Sequence, residues 1–139
     1  MTILDTNVVS ELMKKQPDAR ALHWLEGQKT SQLYLTAITV AEIRRGLALL
    51  PEGQRRNNLE QAFGQFLELG FKDRILPFSA STARIYAPIY QARMKAGLGI
   101  SELDLLIAAI ARQHDAALAT RNTGDFEQTG LRLINPWLD

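Results

Sequence analysis

The chain opens Met1-Thr2-Ile3-Leu4-Asp5-Thr6-Asn7, and this short run decides how the rest is read. Ile3-Leu4 reads as a short buried strand, and Asp5 closes it. In an open α/β sheet that edge, the carboxyl end of a strand, is where ligands bind. Three more acids stand at comparable places. Glu42 opens a helix in Thr39-Val40-Ala41-Glu42-Ile43-Arg44-Arg45-Gly46, and Asp104 sits in the first turn of Ser101-Glu102-Leu103-Asp104-Leu105-Leu106-Ile107. Asp125 follows a strand over Ala117–Thr120, in Arg121-Asn122-Thr123-Gly124-Asp125-Phe126. Carboxylates that converge repel one another. A hard divalent cation removes that repulsion, and Mg²⁺ and Mn²⁺ prefer oxygen ligands.

Outward from Asp5, strands and helices alternate. Helices are expected over Val8–Lys15, stopped near Pro17, and over Ala19–Gly27, with Gly27 as C-cap. Leu33–Thr36 reads as a strand. Thr39 is the expected N-cap of a helix whose apolar residues Val40, Ile43, Leu47 and Leu50 recur at helical spacing. Pro51-Glu52-Gly53 breaks it, and an amphipathic helix over Arg55–Leu69 follows, with Leu59, Phe63 and Phe66 on one face. Arg74–Phe78 reads as a strand. Ser79 or Ser81 then caps a helix that Gly97 closes, and Ser101 begins the most apolar helix, which runs to about His114. Leu131–Ile134 is a last strand, before Asn135-Pro136-Trp137. Strands alternating with helices predict a parallel sheet covered on both faces.

The 139 residues suit one domain, residues 1–139, without repeat or linker. Lys and Arg number 16 against 15 Asp and Glu, a net charge of +1, which is too small for broad, non-specific nucleic-acid binding. A nucleic-acid substrate would need a local basic rim or a narrow target. The absence of cysteine rules out disulfides and agrees with a reducing cytosol. No apolar run approaches the roughly 18 residues of a membrane span. No signal peptide is expected, because a core-like strand starts the chain. The expected location is cytoplasmic.

Each acid also has a purely structural reading. Asp5 suits a helix N-cap or an Asx-turn with Asn7. Glu42 suits a solvated helix residue near a positive dipole end. Ser101 and Asp104 have the spacing of a capping box. Asp125 suits the cap of a short turn, and Asn122, with its neutral oxygen, is a second candidate in the same loop. Arg44, Arg45 and Arg121 flank the acids, either as solvated ion-pair partners or as phosphate contacts at the rim.

Competing chemistry finds little support. With two histidines and no cysteine, a zinc site of usual composition is not expected. His23 lies beside Trp24 on a surface helix, and His114 continues a helix end. No Gly-rich phosphate loop follows a strand, and no serine nucleophile has a histidine partner in a recognisable motif.

These residues together resemble a known family. Leu4-Asp5-Thr6-Asn7-Val8-Val9-Ser10-Glu11, Thr36-Ala37-Ile38-Thr39-Val40-Ala41-Glu42-Ile43-Arg44-Arg45-Gly46, Asp104–Ala111 and Ala119–Phe126 look like PIN-domain proteins. The nearest subgroup is the VapC-type toxins of type II toxin–antitoxin systems, in the FitB-like branch with its closing Asn-Pro-Trp. The resemblance spans essentially the whole chain in order. It implies a PIN-like three-layer sandwich with a central parallel sheet of four or five strands and helices on both faces. It also implies Mg²⁺- or Mn²⁺-dependent endoribonuclease activity, with Asp5, Glu42, Asp104 and Asp125 as catalytic, metal-binding acids. Many relatives carry an acid directly after Thr-Arg, where this chain has Asn122; Asp125 is the nearest substitute. Thr6 and Thr120 match positions that hold the cluster through hydroxyls, and Asn7 and Asn122 join them as supporting residues. The implied partners are an RNA substrate, a VapB-like antitoxin, operator DNA only through that antitoxin, and a second copy in a homodimer. No membrane partner is implied.

Two other classes remain open. One is a binding-only PIN module with residual nuclease activity, acting through its antitoxin and DNA complex. The other is a metal-dependent phosphatase or receiver-like domain, disfavoured because Asn7 stands where the phosphatase needs its second Asp and Arg121 where a receiver needs Lys.

Overall fold

Five short strands and six helices make up the computed structural model, which describes residues 1–139. In chain order they are β1 (Thr2–Leu4), α1 (Thr6–Leu12), α2 (Ala19–Glu26), β2 (Leu33–Thr36), α3 (Ala37–Ala48) and α4 (Gln54–Gly70). Then come β3 (Ile75–Leu76), α5 (Ala80–Lys95), α6 (Glu102–Gln113), β4 (Ala117–Ala119) and β5 (Leu133–Ile134). The strands form one parallel sheet in the order β3-β2-β1-β4-β5. No helix is long and apolar enough to cross a membrane.

The two-residue period of a strand sorts side chains between two cores. Leu4, Leu33, Leu35 and Ala119 face one side, where α1, α2 and α4 contribute Val8, Val9, Ala21, Phe63 and Leu67. Ile3 and Leu118 face the other, against α5 and α6. On that side Leu105, Ile107 and Ile110 of α6 are fully enclosed. Each contributes about 1.5–3 kcal/mol of burial. Ala108, Ala109 and Ala111 are enclosed as well, so α6 lies close to its neighbours.

The expected three-layer α/β architecture is present, with five strands. Several boundaries differ, for local reasons. Helix α1 starts at Thr6 rather than Val8, because the Asp5 carboxylate accepts from the Thr6 amide at 2.8 Å and caps it. Helix α3 is capped by Thr36, not Thr39: the Thr39 amide donates to Thr36 Oγ1 at 3.1 Å, so Thr39 lies inside the first turn. Of the two candidate serines, Ser79 caps α5, in a capping box with Thr82. Strand β3 is two residues, not five. Asp73 precedes it with φ 64°, and Pro77 after it has no N–H to pair. Gly130 at φ 78° precedes Leu131, and pairing there is confined to Leu133 and Ile134.

The chain leaves β1 toward β2 and β3, then returns to β4 and β5 on its other side. The switch of direction at β1 opens a crevice at the carboxyl ends of β1, β2 and β4.

Candidate functional site: an acidic pocket at the carboxyl edge of the sheet

That crevice holds a pocket of about 450 Å³. Asp5, Glu42 and Asp104 line it, together with Thr6, Asn7 and Asn122. Three elements thus bring their acids to one cavity. Asp5 follows β1 and caps α1, Glu42 lies more than one turn into α3, and Asp104 lies in the first turn of α6 behind its N-cap Ser101.

Asp5 is the most enclosed of them, at 4 % exposure. Its Oδ1 accepts from the Thr6 amide at 2.8 Å, and its Oδ2 accepts from the Thr120 hydroxyl at 2.8 Å and from Asn7 Nδ2 at 3.4 Å. Burial nevertheless pushes its pKa up to about 6, aided by the negative charges of Asp104 and Glu42 and opposed by the Thr120 and Thr6 hydrogen bonds. Asp104 is half-buried, and its pKa is also raised. Burial is the main cause, a hydrogen bond with Ser101 opposes it, and the charges of Asp125 and Glu42 add to it. Glu42 accepts a hydrogen bond from Thr6 Oγ1 at 2.8 Å, and that hydroxyl lies 3.1 Å from Thr39 Oγ1. Thr6 therefore serves two acids at once, through its amide to Asp5 and its hydroxyl to Glu42.

The loop after β4 is held from the same side. Thr120 Oγ1 accepts from the Asn122 amide at 3.1 Å, and Asn7 Oδ1 accepts from the Arg121 amide at 3.2 Å. Asn122 faces the pocket. Asp125 is exposed, in a 3-10 turn over Thr123–Phe126, and does not line the cavity. It still stands close enough for its charge to raise the Asp104 pKa. Of the two candidates for the fourth position, Asn122 lines the cavity and Asp125 does not.

The three arginines separate. Arg121 lines the pocket, its guanidinium stacked 4.9 Å from the Trp137 ring centroid. Arg44 lies over the Phe63 ring at 5.4 Å, and neither Arg44 nor Arg45 lines the cavity. Ser10, Glu11, Lys14 and Trp137 line it without having been singled out in the sequence. A signal existed: Asn7, Ser10, Glu11 and Lys14 follow i, i+3, i+4, i+7 spacing, the polar stripe opposite Val8 and Val9. Glu11 accepts from Lys14 Nζ at 3.1 Å and from the Asp18 amide at 3.2 Å; the Lys14 hydrogen bond is the main reason its carboxyl titrates below its ordinary range.

The donor set fits a hard divalent ion. It is made of carboxylate and amide oxygens, without sulfur or imidazole. Asp5 and Asp104 are raised in pKa mainly by burial and in part by the neighbouring acids, so a cation among them would relieve a repulsion already present. No three of the chain's acids and imidazoles close on a single point.

Fold and site together define a class, and the chain belongs to the PIN-domain family, whose model matches residues 2–131. Among its relatives is toxin FitB of Neisseria gonorrhoeae, 43 % identical over 139 residues and covering 100 % of both chains. VapC ribonuclease Y4jK of Sinorhizobium fredii is 43 % identical over 99 % of this chain and 98 % of its own. A solved structure of FitAB bound to an IR36 DNA fragment superposes with a TM-score of 0.93 at 43 % identity, over 99 % of this chain and 96 % of that one.

Proposed function

We propose that this chain is a Mg²⁺- or Mn²⁺-dependent endoribonuclease, the toxin of a type II toxin–antitoxin module. Asp5, Glu42 and Asp104 hold the metal, with Asp125 or Asn122 completing the set. The observation that carries the proposal is one cavity that gathers Asp5, Glu42 and Asp104 from separate segments, with Asp5 and Asp104 raised in pKa by burial and by neighbouring acids. The relatives named toxin and ribonuclease supply the reaction class.

The chemistry a divalent ion supplies when bound is neutralisation of charge at the scissile phosphate and activation of the attacking water. This chain's residues do the rest. Thr120 and the Thr6 amide fix the Asp5 carboxylate, and the Thr6 hydroxyl fixes Glu42. Arg121 offers a cation at the wall for a neighbouring phosphate, its guanidinium already restrained against Trp137. No side chain need act as nucleophile.

Residues 1–139 act as one domain in this reading, in the cytoplasm and as a homodimer. A small VapB-like antitoxin blocks the pocket, and operator DNA is reached only through it, in keeping with the FitAB–DNA relative. The alternative is a PIN module that binds without cutting; it is favoured by the lack of three acids or imidazoles grouped closely enough to hold an ion without rearrangement.

The test is incubation of total cellular RNA with the purified, antitoxin-free chain in Mg²⁺, Mn²⁺ or chelator. Discrete fragments that need metal, and a drop of at least about 100-fold in Asp5→Asn, are expected. Metal-independent cutting, or an Asp5→Asn variant as active as wild type, would refute the assignment. A folded wild type that cuts nothing would favour the binding-only module.

A further inference from the structure

Arg93, in the last turn of α5, is 3 % exposed and has no carboxylate partner. Burying a guanidinium without a counter-ion is costly, and main-chain carbonyls alone offset that cost here. Its Nη1 donates to the Glu127 carbonyl at 2.7 Å and the Gly124 carbonyl at 3.4 Å, and its Nη2 donates to the Gly99 carbonyl. The Nε has no partner.

The places of these carbonyls matter. Gly99 lies in the loop that runs from Gly97 (φ 72°) to Ser101, the cap of the helix that carries Asp104. Gly124 and Glu127 bracket Asp125. One planar fork thus ties the two segments that present these acids. The other arginines bonded to carbonyls do nothing of the kind. Arg74 donates to Thr30 and Leu33, and the exposed Arg112 to Thr129, all at the far end of the sheet.

We propose that Arg93 is a positioning residue for the acidic pocket: it locks the Gly97–Ser101 loop to the Asp125 turn, so that Asp104 and Asp125 keep one separation. The inference rests on reading the pocket as a metal site. Arg93 acts from behind, through main-chain carbonyls, and touches neither ion nor substrate. Lysine cannot replace it fully, since an ammonium has no planar fork.

The test is a double-mutant cycle read by calorimetric titration of the full-length chain with Mn²⁺ alone. It uses wild type, Asp125→Asn, Arg93→Met and the double variant, each checked for cooperative thermal unfolding. Arg93→Lys replaces Arg93→Met in a second cycle, which stands alone if the methionine variant does not fold. Asp125→Asn is expected to weaken Mn²⁺ binding about tenfold in the wild-type background. In either Arg93 background it is expected to weaken binding by less than about twofold, because the turn is already released. The same loss in every background would overturn the proposal. An Asp125→Asn variant that binds Mn²⁺ like wild type, while Asp5→Asn does not bind, would overturn it and leave the pocket as a metal site. A wild type that binds no Mn²⁺ would overturn both.

Discussion

At the amino end of the sheet, Arg74 and Arg112 donate to main-chain carbonyls, and Gly130 leaves room for the Arg112 guanidinium. At the carboxyl end, Asp5, Glu42 and Asp104 share one cavity, Asp125 acts on Asp104 through its charge, and none of the four makes an ion pair. One end matches charge to dipole and the other crowds like charges. The first arrangement stabilises the fold. The second costs stability, a cost that a bound cation would relieve. Helix α6 spans the contrast within a single element, with Asp104 at its mouth and Ile107 and Ile110 enclosed behind.

Breaking the apolar part should give the largest effect on stability. Ile107→Ala is expected to cost about 2–5 kcal/mol in denaturant unfolding. The folded fraction should still bind Mn²⁺ as wild type does. A loss below about 1 kcal/mol would mean that the core behind Asp104 is not close-packed.

The acidic end is sharpened by pH. Asp5 titrates near 6 in the folded chain against an ordinary value of 3.8, so the folded state binds the extra proton between those values. Its contribution to stability is therefore full below about pH 4 and is lost as pH rises through about 6. The loss is at most about 3 kcal/mol. Unfolding free energies of the metal-free protein from pH 4 to 7 should fall more steeply in wild type than in Asp5→Asn. Parallel curves would contradict the crowding of charge.

The amino end gives the smallest change. A Cβ on Gly130 would stand 2.3 Å from Arg112 Nη1, at a φ of 78°. Gly130→Ala should cost about 1–2 kcal/mol, with Mn²⁺ affinity untouched. A change in that affinity would mean that the two ends are coupled.

The contrast also explains what was legible in the sequence. Asp5, Glu42 and Asp104 stood out because each follows or opens an element with clear apolar periodicity. Serine caps at Ser79 and Ser101 could be read for the same reason. Thr36 could not be separated from Thr39, since both are threonines at a strand–helix junction and only backbone dihedrals decide between them. Asp125 and Asn122 were left open because only the 3-10 turn over Thr123–Phe126, with Asn122 before it and Asp125 inside it, decides which of them lines the cavity. Glu11 and Arg93 were not singled out in the sequence, yet both are buried. Glu11 is held by nearby Lys14 and the Asp18 amide, whereas the partners of Arg93 include carbonyls more than 30 residues away, which no periodicity reveals.

The most direct test of the central claim is thermal unfolding at pH 7, with and without Mn²⁺, of wild type and Asp5→Asn. At 100 times its dissociation constant, an ion that binds only the folded state adds about 2.7 kcal/mol. A rise of several degrees in wild type, absent from the variant, is predicted. An equal rise in both proteins, or none in either, would contradict a cation site built around Asp5.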